Sequence, residues 1–234
     1  MTIVKETREN TGLVSGDSLR AIIFDMDGTL VSSRPLMHHC IGEISQKYTG
    51  RGLTLEEVVA KFGPPICTII RSITAHLTKG EQDQAVEDYY DCHRNNVSSK
   101  VVVFPGIGRL LERIRASGRR LALVTGVERA VMEPTLDAFG LQAYFDERIT
   151  VDDVRNIKPD PEGILLALAR IGADPKRSIY IGDAPADIVA GRRAGVFTGA
   201  ALWSPQTGGD PSRENPDFQF RSVRQLSDFL FPRR

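Results

Sequence analysis

The chain has 234 residues, of which 41% are hydrophobic and 26% charged. That composition supports a packed core and excludes disorder along the bulk of the chain. Thirty Lys and Arg balance thirty Asp and Glu for a net charge of +0. The basic excess of a general nucleic-acid or anionic-membrane binder is therefore absent, and neither partner is expected.

No apolar run approaches the ~18 residues of a membrane helix. Glu6 and Glu9 interrupt the N-terminal stretch where a signal peptide would need continuous apolar residues. Cys40, Cys67 and Cys92 are odd in number, widely spaced and lack a CxxC pair. They read as three reduced thiols, small apolar side chains in a protein expected to be cytoplasmic.

Residues 1–19 are polar, dotted with Gly and Ser, and are expected to form a disordered leader. Arg20-Ala21-Ile22-Ile23-Phe24 is a short apolar run of the kind buried on both faces of a parallel sheet. It runs directly into Asp25-Met26-Asp27-Gly28-Thr29, which places those residues at the strand's C-terminal edge, where open α/β sheets hold their ligands. From about 32 to 100 the pattern is helical, with segments over Met37–Tyr48, Leu55–Phe62, Ile66–Leu77 and Gln82–Asn95. Gly50, Gly63-Pro64-Pro65 and Gly80 separate them. Four helices with no strand between them predict a small bundle serving as a cap.

Strand–helix alternation returns beyond residue 100. Pro105-Gly106 opens a helix that Gly118 stops, and Leu121-Ala122-Leu123-Val124 is a buried strand ending in Thr125-Gly126. A helix from Glu128 to Phe139 contains Pro134, which predicts a kink or break. Ile149-Thr150-Val151 reads as a short strand, and Asp152-Asp153 as turn chemistry. A helix starts at Pro161, and the strand Ile179-Tyr180-Ile181 ends in Gly182-Asp183. A further helix spans Ala186–Ala194, and Asp217–Leu230 offers a short strand and an amphipathic helix. The expected fold is α/β, a Rossmannoid core with a mostly parallel sheet. Its domains are a discontinuous core (20–31 and 101–234) and an inserted helical cap (32–100).

These strand ends bring Asp25, Asp27, Thr125, Lys158, Asp183 and Asp187 to one sheet edge. Carboxylates gathered in this way concentrate negative charge that a hard divalent cation with oxygen ligands would neutralise. Asp25 is the candidate nucleophile, and Asp27 stands near enough to protonate a leaving group and later activate water. Thr125 and free backbone N–H groups could hold phosphoryl oxygens, while Lys158 neutralises the aspartate and the group in transfer.

Phe24-Asp25-Met26-Asp27-Gly28-Thr29-Leu30 resembles the first signature of the haloacid dehalogenase-like (HAD) superfamily. Leu123-Val124-Thr125-Gly126 is similar to its second motif and Lys158-Pro159-Asp160-Pro161 to its third. Gly182-Asp183-Ala184-Pro185-Ala186-Asp187 is similar to its fourth. The motifs follow in the family's order. The resemblance implies Mg²⁺, an aspartyl-phosphate intermediate on Asp25 and a helical cap between the first two motifs. It further implies metal contacts from the Asp25 carboxylate, the Asp27 backbone carbonyl and Asp183, supported by Asp187, with Thr125, Gly126 and Lys158 binding phosphate. Many members carry Asn or another polar residue where Gly126 stands, so one side-chain contact is lost while the Thr125 hydroxyl survives.

Dehalogenases of the superfamily lack an acid two residues after the nucleophile, so Asp27 favours phosphoryl transfer. Within the superfamily the chain looks most like phosphoglycolate phosphatases and related bacterial inorganic pyrophosphatases. That likeness rests on Phe62-Gly63-Pro64-Pro65, Thr150-Val151-Asp152-Asp153-Val154 and Pro216-Asp217-Phe218.

The implied activity is Mg²⁺-dependent hydrolysis of a small phosphorylated metabolite by a monomer or homodimer. The alternatives are an inorganic pyrophosphatase, a β-phosphoglucomutase-like phosphomutase and a catalytically silent binding protein. A phospho-receiver module would have no need of the segment 32–100. Phe62, Gly63 and Pro64 form a loop that could reach the core site, and Arg71 could meet a substrate carboxylate or second phosphate. The plain alternative is a helix–helix connection with a surface arginine. His38-His39 lack a third ligand at metal spacing and read as a solvated helix face.

Overall fold

The computed structural model describes residues 15–61, 63–204 and 209–232. It starts with β1 (Ala21–Phe24) and β2 (Val31–Ser32). Four helices follow: α1 (Arg34–Thr49), α2 (Leu55–Val59), α3 (Ile66–Ile73) and α4 (Lys79–Lys100). The chain then returns through β3 (Val102–Val103), α5 (Ile107–Ala116), β4 (Arg120–Val124), α6 (Arg129–Ala138) and β5 (Glu147–Ile149). It finishes with α7 (Glu162–Ile171), β6 (Ser178–Gly182), α8 (Pro185–Arg193), β7 (Phe197–Ala201), β8 (Phe218–Phe220) and α9 (Val223–Leu230).

Among the described residues, six strands form one sheet in the order β5-β4-β1-β6-β7-β8, every neighbouring pair parallel. The central strand shows why. All four residues of β1 are fully buried, and their two-residue alternation feeds two separate cores. Ile22 and Phe24 join Leu121, Leu123, Ile179 and Ile181 beneath α5, α6 and α9. Ala21 and Ile23 join Ala122, Val124 and Tyr180 beneath α7 and α8. The first core runs on without a break into the helical insert, taking in Leu36, Ile41, Ile70 and Tyr89.

The insert is entered and left through the antiparallel ribbon of β2 and β3, which the sequence patterns did not anticipate. Capping boxes start two of its helices, Thr54 with Glu57 on α2 and Thr78 with Glu81 on α4. The second box puts Gly80, expected as a separator, inside the first turn of α4. That helix runs 22 residues, well beyond the segment expected for it.

Several other expectations need correction. Residues 15–19 are not a disordered leader: Gly16–Ser18 form a 3₁₀ turn against α9, and Leu19 is fully buried. Residues 1–14 lie outside the described residues. Helix α6 continues through Pro134 instead of breaking. Strand β5 ends at Ile149, because Thr150 and Asp153 close a capping box around a 3₁₀ turn. Cys40 and Cys92 are not reduced thiols but a disulfide joining α1 to α4, with Cα atoms 5.7 Å apart. Cys67 alone is free. No helix among the described residues is long and apolar enough to cross a membrane.

A core residue fastens the insert. Glu128, 5% exposed and just before α6, accepts hydrogen bonds from the amides of Ile66 (3.2 Å) and Cys67 (2.7 Å) at the start of α3. Those amides have no partner within their own helix. Glu128→Ala is expected to lower stability by about 1–3 kcal/mol, the cost of unpaired buried donors. The shift would be read from the urea midpoint, with Glu128→Gln losing less because it keeps one acceptor oxygen.

Candidate active site

The first acidic pair sits where β1 ends. The Asp25 amide donates to the Ile181 carbonyl at 2.8 Å, extending the β1–β6 ladder one residue past the strand. The chain then turns tightly: the Met26 carbonyl accepts from the amides of Thr29, Leu30 and Val31 at 3.3, 2.8 and 3.1 Å. Gly28 takes φ +80° in this turn, and a Cβ there would lie 1.9 Å from Asp183 Oδ2. Glycine is thus required both for the backbone and for the approach of the Asp183 carboxylate. Asp27 Oδ1 accepts from the Ser33 hydroxyl, while Asp27 Oδ2 is buried without a partner.

Thr125 follows β4, held by its amide bonding to the Ile149 carbonyl at 3.0 Å. It is 4% exposed, and its hydroxyl has no protein partner. Lys158 arrives from the loop after β5. Its Nζ donates to Asp25 Oδ1 and to Asp187 Oδ1, each at 2.7 Å, and lies 3.1 Å from Tyr180 Oη. Asp187 is held from its other oxygen by the Ala184 amide at 3.0 Å, at the start of α8. Gly182 makes room for it, since a Cβ there would stand 2.3 Å from Asp187 Cγ.

Burial raises the Asp25 carboxyl well above the usual carboxylate range, although Lys158 pulls it the other way. Asp27 is raised by burial against the opposing Ser33 hydrogen bond. For Asp183, burial and then the neighbouring Asp187 push the value up to about 7. At Lys158 burial favours the neutral amine, but Asp187 and Asp25 outweigh it and hold the ammonium well above its ordinary value.

These groups line a cavity of about 430 Å³ between the sheet edge and the insert. Asp25, Asp27, Thr125, Gly126, Lys158, Asp183 and Asp187 all border it, as do Gly63 and Pro64 of the insert. Phe62 lies outside the described residues.

Arg71 does not reach the cavity. It bonds to Asp83 of α4 at 2.6 Å, with the two side chains 41% and 49% exposed. The reason is helical phase: Ile66 and Ile69 turn toward the cavity, and Arg71 stands ~200° around the helix from Ile69. Neither His38 nor His39 borders it. The sequence reading missed Ser33, Arg34 and Met37 on the cavity wall. It also missed Glu128 and Tyr180, whose parts are set by tertiary contact. Only Ser33 and Arg34 carried a signal, their closeness in sequence to Asp27.

Asp25, Asp183 and Asp187 each offer an oxygen, and all three oxygens lie within 4.8 Å of one another. An all-oxygen set of this charge suits a hard divalent cation. Asp187 already receives Lys158, Tyr180 and the Ala184 amide. Asp25 and Asp183 are therefore the freer carboxylates.

The family model of the haloacid dehalogenase-like hydrolases matches residues 22–201. The chain belongs to this family. It is 30% identical over 219 residues to the pyrophosphatase PpaX of Bacillus velezensis, spanning 90% of this chain and 94% of that one. Its fold is similar to that of a predicted phosphoglycolate phosphatase from Haemophilus somnus, with a TM-score of 0.81 and 23% identity. That likeness covers 94% of this chain and 98% of the other. It is also similar to CbbY from Rhodobacter sphaeroides in complex with phosphate, with a TM-score of 0.78 and 21% identity over 89% and 96% of the two chains.

The raised Asp183 value makes the fold bind protons more tightly than the unfolded chain does. Without a cation, this group's effect on stability is therefore a loss as pH rises from the ordinary carboxylate range to about 7. A bound cation offsets the repulsion and competes with those protons. A divalent cation bound there, tested with added Mg²⁺, is accordingly expected to raise Tm more at about pH 8 than at about pH 5.5. In Asp183→Asn that difference should largely vanish, which paired thermal scans would show.

Proposed function

We propose that this HAD-family phosphatase is a cytoplasmic, Mg²⁺-dependent phosphohydrolase of small phosphorylated metabolites, acting through an aspartyl phosphate on Asp25. The observation that carries the reading is a pair of buried oxygens without protein partners, Asp27 Oδ2 and Thr125 Oγ1, on residues that border the same cavity as Asp25. Buried polar atoms are normally satisfied, and here a substrate supplies the missing partners.

In the first step, the Asp25 carboxylate attacks phosphorus, forming a P–O bond as the bond to the leaving oxygen breaks. Lys158 fixes that carboxylate through Oδ1 and stabilises charge on the group in transfer. Asp27, kept protonatable by burial, gives its proton to the departing oxygen. The Thr125 hydroxyl donates to a phosphoryl oxygen, and the Gly126 backbone adjoins it. In the second step Asp27 takes a proton from water as that water attacks phosphorus, releasing inorganic phosphate and restoring Asp25. Mg²⁺, held by Asp25, Asp183 and the Asp27 carbonyl with Asp187 in support, would screen the carboxylates from the incoming dianion. The insert acts as a cap that excludes bulk water, with Gly63 and Pro64 on the substrate side.

The substrate reading put first is a phosphoglycolate-like monoester, and the protein acts as a monomer or homodimer. Inorganic pyrophosphate is the second reading, favoured by the 30% identity to PpaX along most of both chains.

Asp25→Asn is expected to reduce phosphate release to below about 1%, because the nucleophile is lost. Retention of more than about a tenth of the activity would overturn the covalent route. Asp27→Asn should lower kcat by roughly 10²–10⁴-fold, the usual contribution of a general acid–base group. Phosphate release with and without Mg²⁺ from 2-phosphoglycolate, pyrophosphate and β-glucose 1-phosphate would check both variants and choose the substrate.

A further inference from the structure

The groups assigned to phosphoryl transfer account for the sheet side of the cavity and leave its opposite wall unexplained. From the insert that wall receives Met37 of α1, Pro64, and Ile66 and Ile69 of α3, all apolar. One cation interrupts them: Arg34, the first residue of α1. Among the described residues its guanidinium makes no ion pair and no side-chain hydrogen bond. Lys158, the other cation bordering the cavity, is fully engaged by Asp25 and Asp187. The charged group that acts on Arg34 is Asp183, which borders the same cavity. A half-buried guanidinium on an apolar wall costs desolvation that only a partner offsets, and the cavity is where a partner can arrive.

Resting on the phosphatase reading, we propose that Arg34 is a specificity-determining residue that binds a second anionic group of the substrate. Its planar fork of N–H donors matches a carboxylate or a second phosphoryl group through two parallel hydrogen bonds. The surrounding wall selects in the same direction. Met37, Ile66 and Ile69 offer no partners to the hydroxyls of a sugar phosphate, which would lose water there without recompense. The cavity therefore suits a compact phosphate compound whose remote end carries charge. Arg34 takes the place the sequence suggested for Arg71, whose charge is spent on Asp83.

The test compares wild type, Arg34→Gln and Arg34→Lys in the presence of Mg²⁺. The substrates are pyrophosphate, 2-phosphoglycolate and phenyl phosphate, the last sharing the phosphoryl group but carrying no second charge. For whichever charged substrate the enzyme prefers, Arg34→Gln should lower kcat/KM by roughly 10–100-fold, the loss of a charge-assisted bidentate contact. The loss should appear mainly in KM. The corresponding loss with phenyl phosphate should be at least about tenfold smaller, and Arg34→Lys should recover part of the difference. The substrate with the larger KM rise identifies the group as carboxylate or phosphoryl.

Equal losses on all three substrates, or no loss on the charged ones, would overturn the assignment. So would a wild-type enzyme that prefers phenyl phosphate, an outcome that leaves the phosphatase reading intact. A wild-type enzyme releasing phosphate from none of the three would overturn the phosphatase reading, and this inference with it.

Discussion

One ammonium group organises the sheet edge. Lys158 Nζ lies 2.7 Å from both Asp25 and Asp187 and 3.1 Å from Tyr180, tying the loop after β5 to the end of β1 and the start of α8. Both aspartates are nearly inaccessible, and Asp27 and Asp183 stand close by. Burying carboxylates together is costly, and removing one partner of such a pair typically costs about 3–5 kcal/mol because a charge is left uncompensated. Lys158 makes the cluster tolerable without neutralising it. The charge left on Asp183 gives a cation something to engage, while the buried Asp27 carboxyl keeps one oxygen without a protein partner.

The backbone around this cluster is shaped by the same need. Gly28 and Gly182 stand where any side chain would collide with Asp183 or Asp187, so the two acids approach the backbone at the ends of β1 and β6 directly. Parallel strands bring their C-terminal ends to one edge, and adjacent strands β4, β1 and β6 deliver Thr125, Asp25 and Asp183 side by side. No folding of distant loops is required to assemble the acids and the hydroxyl. Register does it, with Phe24 paired to Leu123 on one side and Ile181 on the other.

That dependence on local order explains what could be read from the sequence. A buried run ending in Asp25-Met26-Asp27-Gly28 encodes both the strand and the acids at its tip, and the same holds for Ile181-Gly182-Asp183. Features set by the packing of helices were not legible. The Cys40–Cys92 bond depends on α1 lying beside α4, with the two cysteines 52 positions apart in sequence. The β2–β3 ribbon is two residues wide on each side, too short for any periodicity. Arg71 and Arg34 show the same limit. Arg71 follows the insert loop and Arg34 follows the Asp27 turn in sequence, and only the rotational setting of α3 and the start of α1 decides which of them faces the cavity.

The rotational setting of α3 is fixed from the core. Glu128 holds the first amides of α3, and it lies three residues after Thr125, on the segment that carries the unpartnered Thr125 hydroxyl. The Thr125 side of the cavity and its apolar wall are therefore tied to one short stretch, Thr125 to Glu128. If chemistry belongs to the core and selection to the insert, as proposed, the two share this stretch of four residues. The distance from a phosphoryl group bound as proposed to the apolar wall is then a property of the core as much as of the insert. On that proposal a substrate is measured along this length: Thr125 and Lys158 would place its phosphoryl group, and its far end would meet Arg34 only if it is short enough to fit beneath the wall of Ile66 and Ile69.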